Sequence, residues 1–179
     1  VGFNSSRRRF LRALGVAAPA LALPALAMAT SPAHRELAFS HTHTGEKLKV
    51  LYFDGGRYVP DALAAVNHLL RDFRTGDVHP IDQALLDLLH DLRSATGARR
   101  SYQIVSAYRS PLTNLRLRQA GRGVATRSLH MDGKAIDVRL ADVPLPRLRR
   151  AAQAQGRGGV GYYPASDFIH VDTGRVRYW

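Results

Sequence analysis

The chain of 179 residues contains no cysteine. That absence excludes a disulfide framework, a thiolate metal site and a cysteine nucleophile, so any metal must rest on His, Asp or Glu. Acidic residues are few: 14 Asp and Glu stand against 26 Lys and Arg, a formal net charge of +12. Beyond the N-terminal region no basic block is interleaved with aromatics, so nucleic acid, the usual first partner of a basic chain, is not expected. There is no internal repeat and no low-complexity linker. There is also no comfortable membrane span, because the apolar run from Ala13 to Leu26 is short and interrupted by Pro19 and Pro24. Hydrophobic residues make up 45% and charged residues 22%, a globular balance, and the length suits one domain with its own core.

That apolar run has another reading. Ser6-Arg7-Arg8-Arg9-Phe10-Leu11-Arg12 precedes it and matches the twin-arginine export pattern, and Ala27-Met28-Ala29 follows as an A-x-A cleavage site. The expectation is a signal peptide over residues 1–29 and a mature domain over 30–179, with periplasmic localisation. The leader holds four arginines and no acid, so the charge falls from +12 by four to +8 in the mature part. A basic envelope protein is suited to peripheral contact with anionic wall polymers or headgroups.

Periodicity gives the elements. Glu36 to His43 and Lys47 to Phe53 read as a hairpin of two strands joined by Thr44-Gly45-Glu46. Helical spacing begins near Pro60 and runs through Ala62, Leu63, Val66, Leu69, Leu70 and Phe73 to a break at Thr75-Gly76-Asp77. A second helix follows through Ile81, Leu85, Leu88, Leu89 and Leu92, ending at Gly97. Tyr102 to Tyr108 is strand-like, Pro111 opens a brief helix to about Ala120, and residues 121–127 read as a loop. Lys134 to Leu140 alternates as a strand, a helix runs from Pro144 to about Gln155, and a glycine-rich turn over 156–161 leads to a strand. Phe168 to Asp172 is the final expected strand. Helices come first and most strands later, which predicts an α+β fold with a small antiparallel sheet and helices on one side.

The most informative stretch is Ser128-Leu129-His130-Met131-Asp132-Gly133-Lys134-Ala135-Ile136-Asp137. It sets a histidine and a carboxylate seven residues apart, and His170 arrives later in Asp167-Phe168-Ile169-His170. Two imidazoles and one carboxylate are the ligands of a hydrolytic zinc site, with the fourth position open. Asp137 and His170 fall on expected strands and His130 on the loop before one, rigid placements that suit a metal. Small Gly133 and Ala135 allow tight packing between the ligands. Asp172 lies on the same strand face as His170 by period two, so it either orients a ligand or acts as a base.

The pattern Ser128-x-His130-x-x-Gly133-x-Ala135-x-Asp137 resembles the metal motif of the VanX/VanY-type zinc D-alanyl-D-alanine peptidases. Asp167-x-x-His170 is similar to that family's Glu-x-x-His, with Asp in place of Glu, and Ser106-Ala107-Tyr108-Arg109 resembles its serine-to-arginine motif. The wider text resembles the MepK/YcbK-like branch of murein endopeptidases more closely still. It shares the run from Ser106 to Asn114, Lys134 to Val138, Gly158 to Pro164 and Phe168 to Gly174. The resemblance spans about Glu36 to Trp179 and implies a Hedgehog/DD-peptidase-like fold that acts on peptidoglycan crosslinks. It implies Zn2+ on His130, Asp137 and His170, Asp167 as general base, Arg109 as oxyanion stabiliser and Ser128 at the substrate or the metal shell.

Two other readings stand beside this one. A carboxypeptidase or dipeptidase on muropeptides needs a basic anchor for a terminal carboxylate, which Arg122 and Arg127 supply. A non-catalytic zinc-containing wall-binding module is suggested by the Asp at position 167. His41 and His43 form an H-x-H pair on a strand, but no nearby carboxylate completes a metal set. Tyr162 and Tyr163 either pack beside the turn or line a groove.

Overall fold

Alternating apolar residues settle one face of a sheet: Leu37 and Phe39, Tyr102 and Ile104, Ile136, Val138 and Leu140, Ile169 and Val171 are all buried. In the computed structural model, residues 1–2, 34–121 and 123–179 are described. The body of the expected leader and Arg122 lie outside the described residues. The strands are β1 (His34–His41), β2 (Lys47–Asp54), β3 (Arg57–Tyr58), β4 (Tyr102–Ser106), β5 (Ala135–Leu140), β6 (Gly159–Tyr163), β7 (Phe168–Asp172) and β8 (Arg177–Tyr178). The helices are α1 (Pro60–Leu69), α2 (Gln83–Thr96), α3 (Pro111–Gln119) and α4 (Leu145–Gln155).

The eight strands form one sheet in the order β3-β2-β1-β4-β5-β7-β6-β8. It is mixed, which corrects the purely antiparallel expectation: β1 runs parallel to β4, and β6 parallel to β8. The reason lies in the connections. The chain passes through α1 and α2 between β2 and β4, and a crossover of that length permits a parallel pair. Helices α1, α2 and α4 pack against β2, β1 and β5–β7, covering the apolar face. Period two then leaves Asp137 on β5 and His170 and Asp172 on β7 on the opposite face.

Local chemistry ends the helices where it should. Asp82 caps α2, accepting from Ala84 N, and Gly97 closes it in the left-handed region. Ser110 caps α3 ahead of Pro111, accepting from Thr113 N. Helix α1 stops at Leu69 rather than continuing to Phe73. The buried Asp72 carboxylate accepts instead from Arg74 N at 3.0 Å and Ser110 N at 2.9 Å, tying the turn to the start of α3.

Candidate metal centre

His130 sits in a short 3-10 helix, Leu129–Asp132, which Gly133 closes at φ 65°. A side chain at Gly133 would strike the Pro80 carbonyl, so only glycine lets this turn pack down and lead into β5. The pairing of β5 with β7 then sets Asp137 opposite His170. Three ligand atoms converge: His130 Nε2 lies 3.2 Å from His170 Nδ1 and 3.3 Å from Asp137 Oδ1, and His170 Nδ1 lies 3.0 Å from Asp137 Oδ1. All three residues are buried.

The outer nitrogens decide what the inner ones offer. His130 Nδ1 donates to the Ala107 carbonyl at 2.6 Å, and His170 Nε2 donates to Asp172 Oδ2 at 2.9 Å. A carbonyl and a carboxylate only accept, so both protons are placed. In the neutral tautomers the inner nitrogens therefore present lone pairs toward a carboxylate oxygen, and three such lone pairs need a cation between them. Tetrahedral bonds of about 2.0–2.1 Å give ligand–ligand edges near about 3.3 Å, the separations seen, so His130, Asp137 and His170 fit a single metal ion. The electrostatics agree. Burial alone would raise the Asp137 carboxyl, but the two imidazoles outweigh it and hold it well below the ordinary range. Burial alone would lower His170, yet Asp137 and Asp172 raise it. The two carboxylates thus favour the protonated form of His170 in the metal-free protein.

The ligands border a cleft of about 440 Å³ that Arg109, Arg127, Ser128, Tyr163, Phe168 and Trp179 also line. Arg109 follows β4, its backbone N donating to the His130 carbonyl at 3.1 Å. Its guanidinium is buried, reaches Asp137 only at 3.7 Å, and leaves Nε without a partner. Burial pushes its pKa down, though guanidinium stays charged. Ser128 lies buried ahead of the 3-10 helix, its hydroxyl not used as a cap.

Asp167 is not brought to the ligands. It sits at φ 52° just before β7, and its carboxylate pairs with Arg139 at 3.2 Å beside a second depression that also includes Gln103 and Asp142. Asp172 is brought to them, but behind His170. Its oxygens accept from His170 Nε2, Gly159 N, Gly174 N and Arg177. With both oxygens engaged, Asp172 orients its ligand and has no free lone pair for a base. The His41/His43 pair is no metal site. His41 Nδ1 accepts from the backbone N of His43 and Thr44, so its proton sits on Nε2, and His43 stacks on Phe73 with ring centres 4.2 Å apart.

Three cleft features escaped the sequence reading. Asn114 donates from Nδ2 to the Ala125 carbonyl at 3.1 Å, tethering the cleft loop to α3. Arg177 comes from β8, two residues long and without a periodic signal of its own, and Trp179 from just beyond it.

Three protein ligands facing an open cleft are the arrangement of a catalytic metal centre rather than a closed structural one. Residues 29–179 match the family described as peptidoglycan L,D-endopeptidase MepK, and the chain belongs to that family. It is 43% identical over 179 residues to the peptidoglycan L,D-endopeptidase MepK of Escherichia coli (strain K12), covering 99% of this chain and 98% of that protein. The protein of the same name from Shigella flexneri matches to the same degree. The probable peptidoglycan L,D-endopeptidase MepK of Haemophilus influenzae is 40% identical, covering 98% of this chain and 96% of its own. No solved structure matches the chain.

Proposed function

We propose that this protein is a zinc peptidase that hydrolyses the peptide crosslinks of peptidoglycan in the periplasm. The observation that carries the reading is the set of inward lone pairs on His130, Asp137 and His170, opening onto a cleft. Family membership supports the substrate, since the relatives bear the name peptidoglycan L,D-endopeptidase. The mixed nitrogen and oxygen donors without thiolate suit zinc. The candidate ligands, Asp137 on β5, His170 on β7 and His130 on the turn before β5, are read as a Hedgehog/DD-peptidase-like arrangement. Residues 1–29 are read as the twin-arginine leader and 30–179 as the peptidase domain.

Bound zinc supplies Lewis acidity and lowers the pKa of water toward about 7. The chain's own groups do the rest. Arg109 lines the cleft beside the candidate ligands, and its guanidinium stabilises the oxyanion that develops on the scissile carbonyl. Asp167, released from Arg139, takes the proton of the attacking water and passes it to the leaving amine. Ser128 offers its free hydroxyl to the substrate. Asp172 and the Ala107 carbonyl hold the two imidazoles in the tautomers that face the metal.

Arg127 on the cleft wall favours a second reading, a carboxypeptidase that anchors a terminal carboxylate. Digestion of purified sacculi by the zinc-loaded protein, read as muropeptide masses, separates the outcomes. Loss of crosslinked dimers is expected, and His130→Ala should abolish it. Loss of terminal residues alone would make the protein a carboxypeptidase. Zinc retained with no digestion would make it a wall-binding module.

A further inference from the structure

Strand β6 carries two glycines on the metal side of the sheet. Gly161 is paired with His170, and Gly159 N donates to Asp172 Oδ1 at 3.0 Å. A Cβ at Gly159 would lie 2.5 Å from Arg177 Nη1, and one at Gly161 would lie 2.7 Å from the Trp179 indole. The missing side chains thus leave room for Arg177 of β8 and Trp179 just after it to lie across β6 toward His170 and Asp172 on β7. Arg177 uses that room to hold Asp172, at 2.7 and 3.1 Å.

Trp179 uses it differently. Its ring centre lies 5.3 Å from that of His170, and it lines the cleft while remaining 47% exposed. Its Nε1 donates to the Tyr163 hydroxyl at 2.8 Å, and the Arg177 guanidinium sits 4.9 Å from its ring centre. Tyr163 is itself 38% exposed and stacks on Phe168 with ring centres 4.7 Å apart. The indole is therefore fixed in orientation yet contributes half its surface to the cleft rather than the core. A rigid, half-exposed aromatic beside a reacting centre gives contact area at little cost in entropy.

We propose that Trp179 and Tyr163 form an apolar subsite that takes the aliphatic part of a peptide residue beside the scissile bond. Trp179 is then a specificity-determining contact on the His170 side of the cleft. The inference rests on the peptidase reading. It assigns the apolar part of substrate recognition to Tyr163 at the end of β6 and Trp179 just past β8, and leaves Arg109 its role at the transition state.

Trp179 is the only tryptophan in the chain, so emission excited selectively at the indole, beyond the tyrosine absorption band, reports this wall alone. A crosslinked muropeptide dimer added to the full zinc-loaded chain should change that emission saturably. Trp179→Ala should raise KM for the dimer by roughly 10-fold, with kcat changed less than about threefold and zinc content intact. Trp179→Phe should recover most of that loss. Turnover by the parent with silent emission would overturn the subsite, as would an unchanged KM in Trp179→Ala. If Trp179→Ala fails to fold or loses zinc, the emission titration of the parent decides alone. A saturable emission change without cleavage would keep the subsite and remove the peptidase reading.

Discussion

Asp172 stands behind His170 and fixes it: Oδ2 accepts the Nε2 proton at 2.9 Å, while Asp137 faces Nδ1 from the other side at 3.0 Å. The imidazole is clamped between two carboxylates, with one nitrogen committed to the scaffold and one left for a cation. Arg177, Gly159 and Gly174 hold Asp172 in turn, so the clamp cannot swing away.

Removing the clamp should weaken the metal. Asp172→Ala is expected to lower zinc affinity by about 10–100-fold, read by competition with a chromophoric chelator. Asp172→Asn keeps an acceptor and should lose less. Unchanged affinity in both variants would strip Asp172 of its orienting role.

Metal and proton should compete at His170. Its pKa is raised in the metal-free protein by Asp137 and Asp172, against the opposing effect of burial. A raised folded-state pKa means that the proton's stabilisation is fully present below the unfolded value, about 6.5. It is lost as pH rises through the folded value. Metal-free protein should therefore lose stability across that window. The gain in melting temperature on adding zinc should be larger at pH 8 than at pH 6, because zinc no longer displaces a proton. A zinc-induced shift independent of pH would contradict this.

Arg109 should act on the transition state. Arg109→Lys keeps charge but loses the planar fork. Both kcat and kcat/KM should fall on the order of 10²-fold with zinc content intact. A rise in KM alone would instead make Arg109 an anchor for a substrate carboxylate.

The cluster of His130, Asp137 and His170 was legible because its chemistry is local. Gly133 must close the turn after His130, and period two carries Asp137 into the sheet and puts Asp172 beside His170. The parallel pairing of β1 with β4 was not legible, since it depends on the crossover through α1 and α2 rather than on any pattern within a strand. Trp179 was invisible for the same reason: it follows β8, a strand that exists only because β6 pairs with it, over a surface that Gly159 and Gly161 leave bare. The early end of α1 turned on the Asp72 side chain, whose partner Ser110 is remote in sequence. Asp167 shows the limit most plainly. Its spacing from His170 is readable, but the direction of its side chain is not.

That direction makes Asp167 the sharpest test of the mechanism. Its carboxylate is 67% exposed and held by one ion pair to Arg139. A surface pair of this kind contributes only about 0–1 kcal/mol, so release from Arg139 is easy, and the next residue, Phe168, already lines the cleft. If the released carboxylate carries the proton, Asp167→Ala should lower kcat by roughly 10²–10⁴-fold while zinc stays bound. Arg139→Ala, which frees the carboxylate and also gives up the Arg139 Nε bond to Gln103, should leave kcat at or above the parent value. Asp167→Glu restores the methylene by which this chain is shorter than the Glu-x-x-His pattern, and it should keep activity. Steady-state kinetics on a crosslinked muropeptide dimer, with zinc measured in each variant, checks all three. Full activity in Asp167→Ala would place proton transfer on another group.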